Sequence, residues 1–361
     1  MPLFRGRMLK IAIYLIILFP FLWFGEINLL KTEFVSPQVE RYDCHSPTII
    51  ELSDHGLLVV WFGGFGEGKC DYPDFTEKAG IWMSRYEEGR WSAPRLIVCH
   101  ETERHWNPVL HRLSTGELIL FYKVGDSPRD WRGAFKRSYD EGETWSLEEE
   151  LPVGFLGPIK NKAVVASDGS LICGSSVEAG TLEDPFQSTA CWIEIASPSL
   201  EKWEKFGPIE IPNQKFGALQ PALYFGDDGS LHLLCRDRAH RVGGEGFIWH
   251  AISDDQGKTW SELINTGLPN PDSGIDTLKL GKDAVVLVYN PSHEDRWPLT
   301  LALSEDNGEN WVPLLDIESE RSEYPYALAT QDGLIHIVYS YSKANEIQRR
   351  IKHAVLSQNA D

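Results

Sequence analysis

The feature that most constrains this chain is a hairpin signal repeated six times. Short β-rich runs broken by one recurrent turn read SDHGLLVVW, STGELILFY, SDGSLICGS, DDGSLHLLC, LGKDAVVLVY and QDGLIHIVY, with turn positions Gly56, Gly116, Gly169, Gly229, Gly281 and Gly333. Successive turns lie 60, 53, 60, 52 and 52 residues apart. A glycine at a tight turn between alternating or β-branched runs marks a hairpin. Six hairpins at nearly constant spacing predict six similar units.

A second motif keeps the same spacing. SYDEGETW (138–145), SDDQGKTW (253–260) and SEDNGENW (304–311) begin 22, 24 and 23 residues after Gly116, Gly229 and Gly281, so each occupies one position in its unit. Degenerate copies stand where the spacing places them, at SRYEEGRW (84–91) and SPSLEKW (197–203), while the sixth unit ends in RRIKHAVL without one. Units of this length with four strands each point to propeller blades, and no stretch sustains a helical period. The expectation is an all-β chain: a single six-bladed β-propeller over residues 36–361, its N-terminal strand completing the last blade.

The pattern S-x-D-x-G-x-T-W resembles the Asp-box of sialidases. Three good copies and two decayed ones at blade spacing make residues 42 to 356 similar to the BNR-repeat, sialidase-like family, the exo-alpha-sialidase or neuraminidase superfamily.

Composition limits the partners. A formal charge of -19 over 361 residues argues against a phosphate-backbone partner, because nucleic-acid binding needs a basic footprint. An anionic ligand would therefore need a local basic pocket. At the N-terminus, Arg5, Arg7 and Lys10 precede a 14-residue apolar run from Ile11 to Phe24, interrupted by Pro20. Residues 1–30 are thus expected to be a signal peptide or an uncleaved membrane anchor, which makes the protein exported, secreted or periplasmic, or attached to a membrane. The six cysteines include no CxxC pair, so no zinc site is expected. Buried thiols and disulfides both stay open.

Strand order separates two faces. The first strand of a blade runs into the glycine turn, the second returns, and the third descends to the Asp-box, which puts the Asp-box on the face opposite the strand-one starts. Its Asp and Ser bond their own turn and its Trp packs between sheets, a structural role. The opposite face collects polar groups: His45, Asn107, Lys160, Gln220, Asp276 and Tyr324 from strand-one starts, and Lys123, Glu178, Arg236 and Asn290 from strand-two ends. Arg129, Arg296 and Arg349 come from strand-three starts, and Asp71, Asp74 and Glu77 from the long loop of the first blade. First strands surround a propeller axis, so these groups are expected to converge on one mouth. A guanidinium matches a carboxylate with two parallel hydrogen bonds, which points to a sugar acid as ligand. Trp61, Trp106, Trp131 and Trp297 are candidates for stacking on a sugar ring.

The resemblance implies roles. Sialidases hold the sialic acid carboxylate with three arginines and use a tyrosine nucleophile with a glutamate partner and an aspartate acid/base. Arg236 resembles the second arginine, Arg296 the third, and Tyr324 the nucleophile. Three positions depart from the family: His45 stands at the first arginine, Gln220 at the glutamate, and the loop CDYPDFTEK offers Asp71, Asp74 and Glu77 without a clear match for the acid/base. Three functions follow as expectations: an exo-glycosidase removing a terminal sugar acid from glycans, a polysaccharide lyase acting on uronates with His45 and Tyr324 as base and acid, or a non-catalytic glycan-binding propeller. None calls for a cofactor or a metal.

Overall fold

The structure is a computed structural model that describes residues 26–35, 43–64, 80–100, 102–181, 187–214, 217–239, 243–344, 346 and 348–358. The described strands form six antiparallel sheets, five of four strands and one of five. Five sheets are consecutive in sequence, spanning Asp43 to Val98, His105 to Glu150, Val164 to Ile209, Leu219 to Pro269 and Asp276 to Glu318. The sixth joins the two ends of the chain: strands Arg321–Ala329, Leu334–Ser342 and Arg350–Gln358 are completed by Ile27–Phe34, which pairs with Arg350–Gln358 from Ile27 against Gln358 to Phe34 against Lys352. These six sheets are the blades of a propeller closed by its N-terminal strand.

The apolar pattern explains why the blades form a ring. The described buried residues fall into six hydrophobic clusters, each shared by two neighbouring blades. Val60, Phe62 and Met83 of the first blade meet Leu110, Leu120 and Tyr122 of the second, and the series continues around. Ile49, Val59 and Trp61 then meet Tyr326, Val338 and Ile351, joining the first blade to the sixth. Both faces of each sheet are covered, so second strands such as Leu118–Val124 read as continuous apolar runs and are buried throughout. Trp61 belongs to this core and is 1% exposed, rather than standing on a rim.

The Asp-boxes bind their own turns and the preceding blade. In SDDQGKTW, Ser253 Oγ donates to Asp255 Oδ1 at 2.8 Å and accepts from the Gly257 amide at 2.8 Å, and Asp255 Oδ1 accepts from the Thr259 amide at 2.8 Å. The copies at Ser138 and Ser304 repeat these bonds. Each turn places two successive residues in the left-handed region, Gln256 at φ 60° and Gly257 at φ 92° in this copy. Glycine is required at the second for a further reason: a Cβ on Gly308 would lie 2.0 Å from the Tyr224 hydroxyl of the preceding blade. The decayed copy SPSLEKW keeps part of the scheme, with Leu200 left-handed and Trp203 donating to the Leu200 carbonyl at 2.8 Å, as Trp260 does to Gly257 at 3.0 Å.

Cys173, Cys191 and Cys235 are buried free thiols, Cys44 is buried and Cys99 is exposed, whereas Cys70 lies outside the described residues. The N-terminal apolar run also lies outside them. Among the described residues no helix is long and apolar enough to cross a membrane.

Candidate active site

The inner strands carry a local device that builds the mouth. In four blades the ladder slips, between His45 and Thr48, Trp106 and Val109, Leu219 and Ala222, and Glu323 and Tyr326. Each slip contains a residue in the left-handed region followed by proline: Ser46 at φ 52°, Asn107 at 42°, Gln220 at 50° and Tyr324 at 56°. Proline has no N–H for the ladder and disfavours right-handed helical geometry in the residue before it. The result is a bulge that re-aims one side chain. Left-handed non-glycine residues cost about 1–3 kcal/mol each and cluster at functional sites.

The bulges also correct the register read from sequence. The turn residues in the left-handed region are His55 and Asp283 in the first and fifth blades, where the sequence suggested Gly56 and Gly281. Shifting the register accordingly puts Ser46 and Gly274, rather than His45 and Asp276, at the positions equivalent to Asn107, Lys160, Gln220 and Tyr324.

At the mouth is a cleft of about 830 Å³. Of the residues expected there, His45, Asn107, Glu178, Gln220, Arg236, Arg296, Arg349 and Tyr324 line it, with Trp106, Trp131 and Trp297. Five of the expected residues do not line it. Lys123 is fully buried and its ammonium donates to the Pro158 carbonyl, with burial, opposed by Glu194, bringing its pKa down to about 7. Asp276 pairs with Lys162 and accepts from the Ala327 amide at 2.8 Å. Asn290 donates to the Pro298 and Ser322 carbonyls, both at 2.9 Å, and so ties the loop bearing Arg296 to the sixth blade. Arg129 is not among the side chains that line the cleft.

Lys160 sits beneath the site. Its ammonium donates to Asn161 Oδ1 at 2.8 Å, to the Ile275 carbonyl at 2.9 Å and to the Pro325 carbonyl, thereby joining blades three, five and six at the axis. It lies 6.0 Å from the Tyr324 ring centroid. Burial, opposed by Asp276 and reinforced by Lys162 and Arg236, brings its pKa down to about 7. Asp71, Asp74 and Glu77 lie outside the described residues.

Among the described residues six arginines line the cleft: Arg104, Arg236, Arg238, Arg296, Arg321 and Arg349. Three are linked in an arc around Tyr324. Arg236 donates to the Tyr324 hydroxyl at 3.0 Å and to the Asp272 carbonyl; Arg296 donates to the same carbonyl at 2.7 Å and to Glu323; Arg349 donates to Glu323 at 3.2 Å and holds Asp43 through two of its nitrogens. Burial alone would raise the Glu323 carboxyl, but Arg296, His45 and Arg349 outweigh it and hold it well below the usual carboxylate range. Glu323 thus stays anionic and fixes two of the arginines.

Around the hydroxyl of Tyr324, Gln220 donates at 3.4 Å and the His45 ring lies 4.2 Å from the tyrosine ring, centroid to centroid. His45 shares a hydrogen bond with Ser340 Oγ at 2.9 Å. Its pKa lies well below the ordinary histidine value, first through burial and then through Arg349, so the imidazole is neutral at pH 7. Glu178 is ion-paired with Arg238 at 2.7 Å. On the opposite wall, Trp106 packs between Phe62 and Trp131, 5.3 and 6.0 Å away, and Trp297 is 43% exposed.

Sequence reasoning missed Arg104, Arg238, Arg321, Asp272 and Glu323. Two had adjacent signals: Arg238 follows Arg236 by two residues in CRDR, and Glu323 directly precedes Tyr324. Asp272 lies in a loop whose path only the fold defines.

Comparison with known proteins gives a consistent picture of the fold. A family model described as a BNR repeat-like domain matches residues 55–337. No curated protein sequence matches the chain. Among solved structures, a Dyadobacter fermentans protein of unknown function is similar at a TM-score of 0.74 and 14% identity, over 92% of this chain and 99% of that one. The Hadza microbial sialidase Hz136 is similar at 0.70 and 16%, over 88% and 66% of the two chains. The NanB sialidase from Streptococcus pneumoniae is similar at 0.68 and 13%, over 92% and 70%. At these identities the likeness is one of fold.

Proposed function

This chain belongs to the BNR repeat-like, sialidase-like family, and from that premise we propose that it hydrolyses a terminal sugar acid, of the sialic acid kind, from glycans. One observation carries the reading. In a chain of charge -19, the tyrosine raised on an inner-strand bulge has its hydroxyl bonded by Arg236, within a cleft lined by six arginines.

The chemistry follows from these groups. The guanidiniums of Arg236, Arg296 and Arg349 face the sugar carboxylate. Tyr324 gives its hydroxyl proton to water in the cleft as its oxygen attacks the anomeric carbon, which forms a tyrosyl–sugar bond while the bond to the aglycone oxygen breaks. A carboxylic acid of the first-blade loop, where Asp71 and Asp74 are the candidates, protonates that oxygen. Water then displaces the tyrosine, and the same carboxylate accepts its proton. Sialidases are known among glycosidases for using tyrosine in place of a second carboxylate. Gln220 cannot accept the tyrosine proton, so activation rests on Arg236, which stabilises negative charge developing on the oxygen it already contacts.

A second reading, a uronate lyase, draws support from His45, whose neutral imidazole against Tyr324 can accept a proton. In that reaction His45 takes the proton α to the carboxylate, Tyr324 protonates the leaving oxygen, and an unsaturated sugar results. Aryl glycosides and oligosaccharides ending in sialic or uronic acids, assayed both for free sugar acid and for ultraviolet-absorbing product, separate these outcomes. Free sugar acid without ultraviolet absorbance supports hydrolysis; absorbing product supports elimination. Binding without turnover would make the chain a glycan-binding propeller.

A further inference from the structure

Outside the arginine cleft, the connection between the first two blades brings together His100, His105 and Glu148, which offer one ligand atom each within 4.8 Å of one another. His100 follows the outer strand Arg95–Val98, His105 opens the inner strand His105–Arg112, and Glu148 directly precedes the edge strand Glu149–Glu150. The two imidazoles lie 4.9 Å apart at 82°, edge to face. Two other histidine pairs show the contrast: His232 with His250 and His336 with His353 stack at 14° and 5° and hydrogen-bond to each other at 2.9 and 2.8 Å. Those pairs use ring nitrogens on one another, whereas the perpendicular pair brings its rings together beside a carboxylate.

The surroundings have the form of an outer shell. Tyr122 donates to one Glu148 oxygen at 2.8 Å and Arg132 to the other at 3.1 Å, which fixes the carboxylate. The Glu103 carboxylate lies 3.3 Å from His100 Nδ1, the arrangement that orients a metal-binding imidazole. Charge points the same way. Arg132 is contacted by Glu103, Glu148 and Glu150 at 3.0 to 3.1 Å, so three carboxylates surround one guanidinium and leave two negative charges for a divalent ion.

We propose that His100, His105 and Glu148 bind a divalent transition metal of the zinc class, with water at a fourth position. Two imidazoles and one carboxylate suit zinc, whereas calcium and magnesium favour oxygen ligands throughout. Zinc bonds of about 2.0–2.2 Å require the three side chains to draw in from their present separation. The ion would tie the outer edge of the first blade to the inner strand of the second, one residue from Trp106 in the cleft wall. This proposal is independent of the reaction assigned to Tyr324, and the cysteine pattern could not have revealed it.

The test is a calorimetric titration of chelator-treated protein with zinc ion at pH 7.5, accompanied by thermal melts. One equivalent should bind with a micromolar or tighter Kd and raise Tm by several degrees. His100→Gln and Glu148→Gln should each weaken binding at least tenfold. The His100 side chain is 41% exposed and Glu148→Gln retains an acceptor for Tyr122, so both variants should fold. No stoichiometric binding, unchanged binding in both variants, or equal affinity for magnesium would overturn the proposal.

Discussion

Arg236 donates from Nη2 to the hydroxyl of Tyr324 at 3.0 Å, while the same guanidinium holds the carbonyl of Asp272. The tyrosine oxygen is therefore fixed by a cation that is itself fixed. Tyr324→Phe should lower kcat by roughly a thousandfold or more and leave KM within a few fold. Steady-state kinetics on a confirmed sugar-acid glycoside measures this, and unchanged turnover would remove Tyr324 from the chemistry.

Gln220 offers the opposite test. Its amide lies 3.4 Å from the Tyr324 hydroxyl, where a carboxylate would accept the tyrosine proton. Gln220→Glu should raise kcat several-fold and add an acid limb to the pH–rate profile. A fall in kcat at every pH would show that the amide serves a different step.

Arg296→Ala should act mainly on substrate binding. Losing a charge-assisted pair costs about 1.5–3 kcal/mol, or roughly ten- to a hundredfold in KM. The variant also removes one of the arginines that fix buried Glu323, so Tm should fall as well.

The Asp-box prediction separates stability from activity. Ser253 is 1% exposed, and Ser253→Ala leaves the Gly257 amide without its acceptor, at a cost of about 1–3 kcal/mol. Thermal melts should show a lower Tm, while kcat and KM at 25 °C stay at the parent values. A catalytic loss without a stability loss would return chemistry to this face.

Acid should destabilise the fold in two steps. Burial brings His111, His250 and His336 down to about 4, so the unfolded chain takes up protons near the ordinary histidine value of 6.5 that the fold refuses. Stability contributed by these neutral histidines is present above pH 6.5 and is lost as pH falls toward 4. Glu33 and Glu141, each down to about 2 despite partial burial because of hydrogen bonds and ion pairs with His353 and Lys31, and with Arg112 and Ser53, contribute stability that is present above 4.5 and lost below it. Melts from pH 8 to 3 should therefore show Tm falling first below 6.5 and more steeply below 4.5.

The repeats made the blade count and the structural role of the Asp-box legible, because each rests on a local turn signal recurring at fixed spacing; the closing strand, Ile27–Phe34, instead lies ahead of the expected propeller start at residue 36 and overlaps the segment expected to be a leader or anchor. The mouth was only partly legible. Gln220, Asn107 and Tyr324 could be read from their offset to a glycine turn. In the first and fifth blades His55 and Asp283 adopt the left-handed geometry instead of glycine, so the position nine residues before the turn is Ser46 and Gly274, neither of which is the nearby polar residue, His45 or Asp276, that the glycine turns suggested. Lys123 was placed in the mouth because it ends a second strand, but its ammonium reaches a carbonyl between blades. A strand position fixes which way a side chain starts, not where a long flexible one ends. Arg238 and Asp272 come from loops, whose course no periodicity records.

The most direct test of the account is covalent trapping. The protein would be incubated with a fluorinated sialic acid donor whose second step is slow, digested, and mapped by mass spectrometry. The account predicts one sugar adduct, on Tyr324, and none in Tyr324→Phe. Turnover of sialosides with no adduct, or with the adduct on another residue, would contradict it.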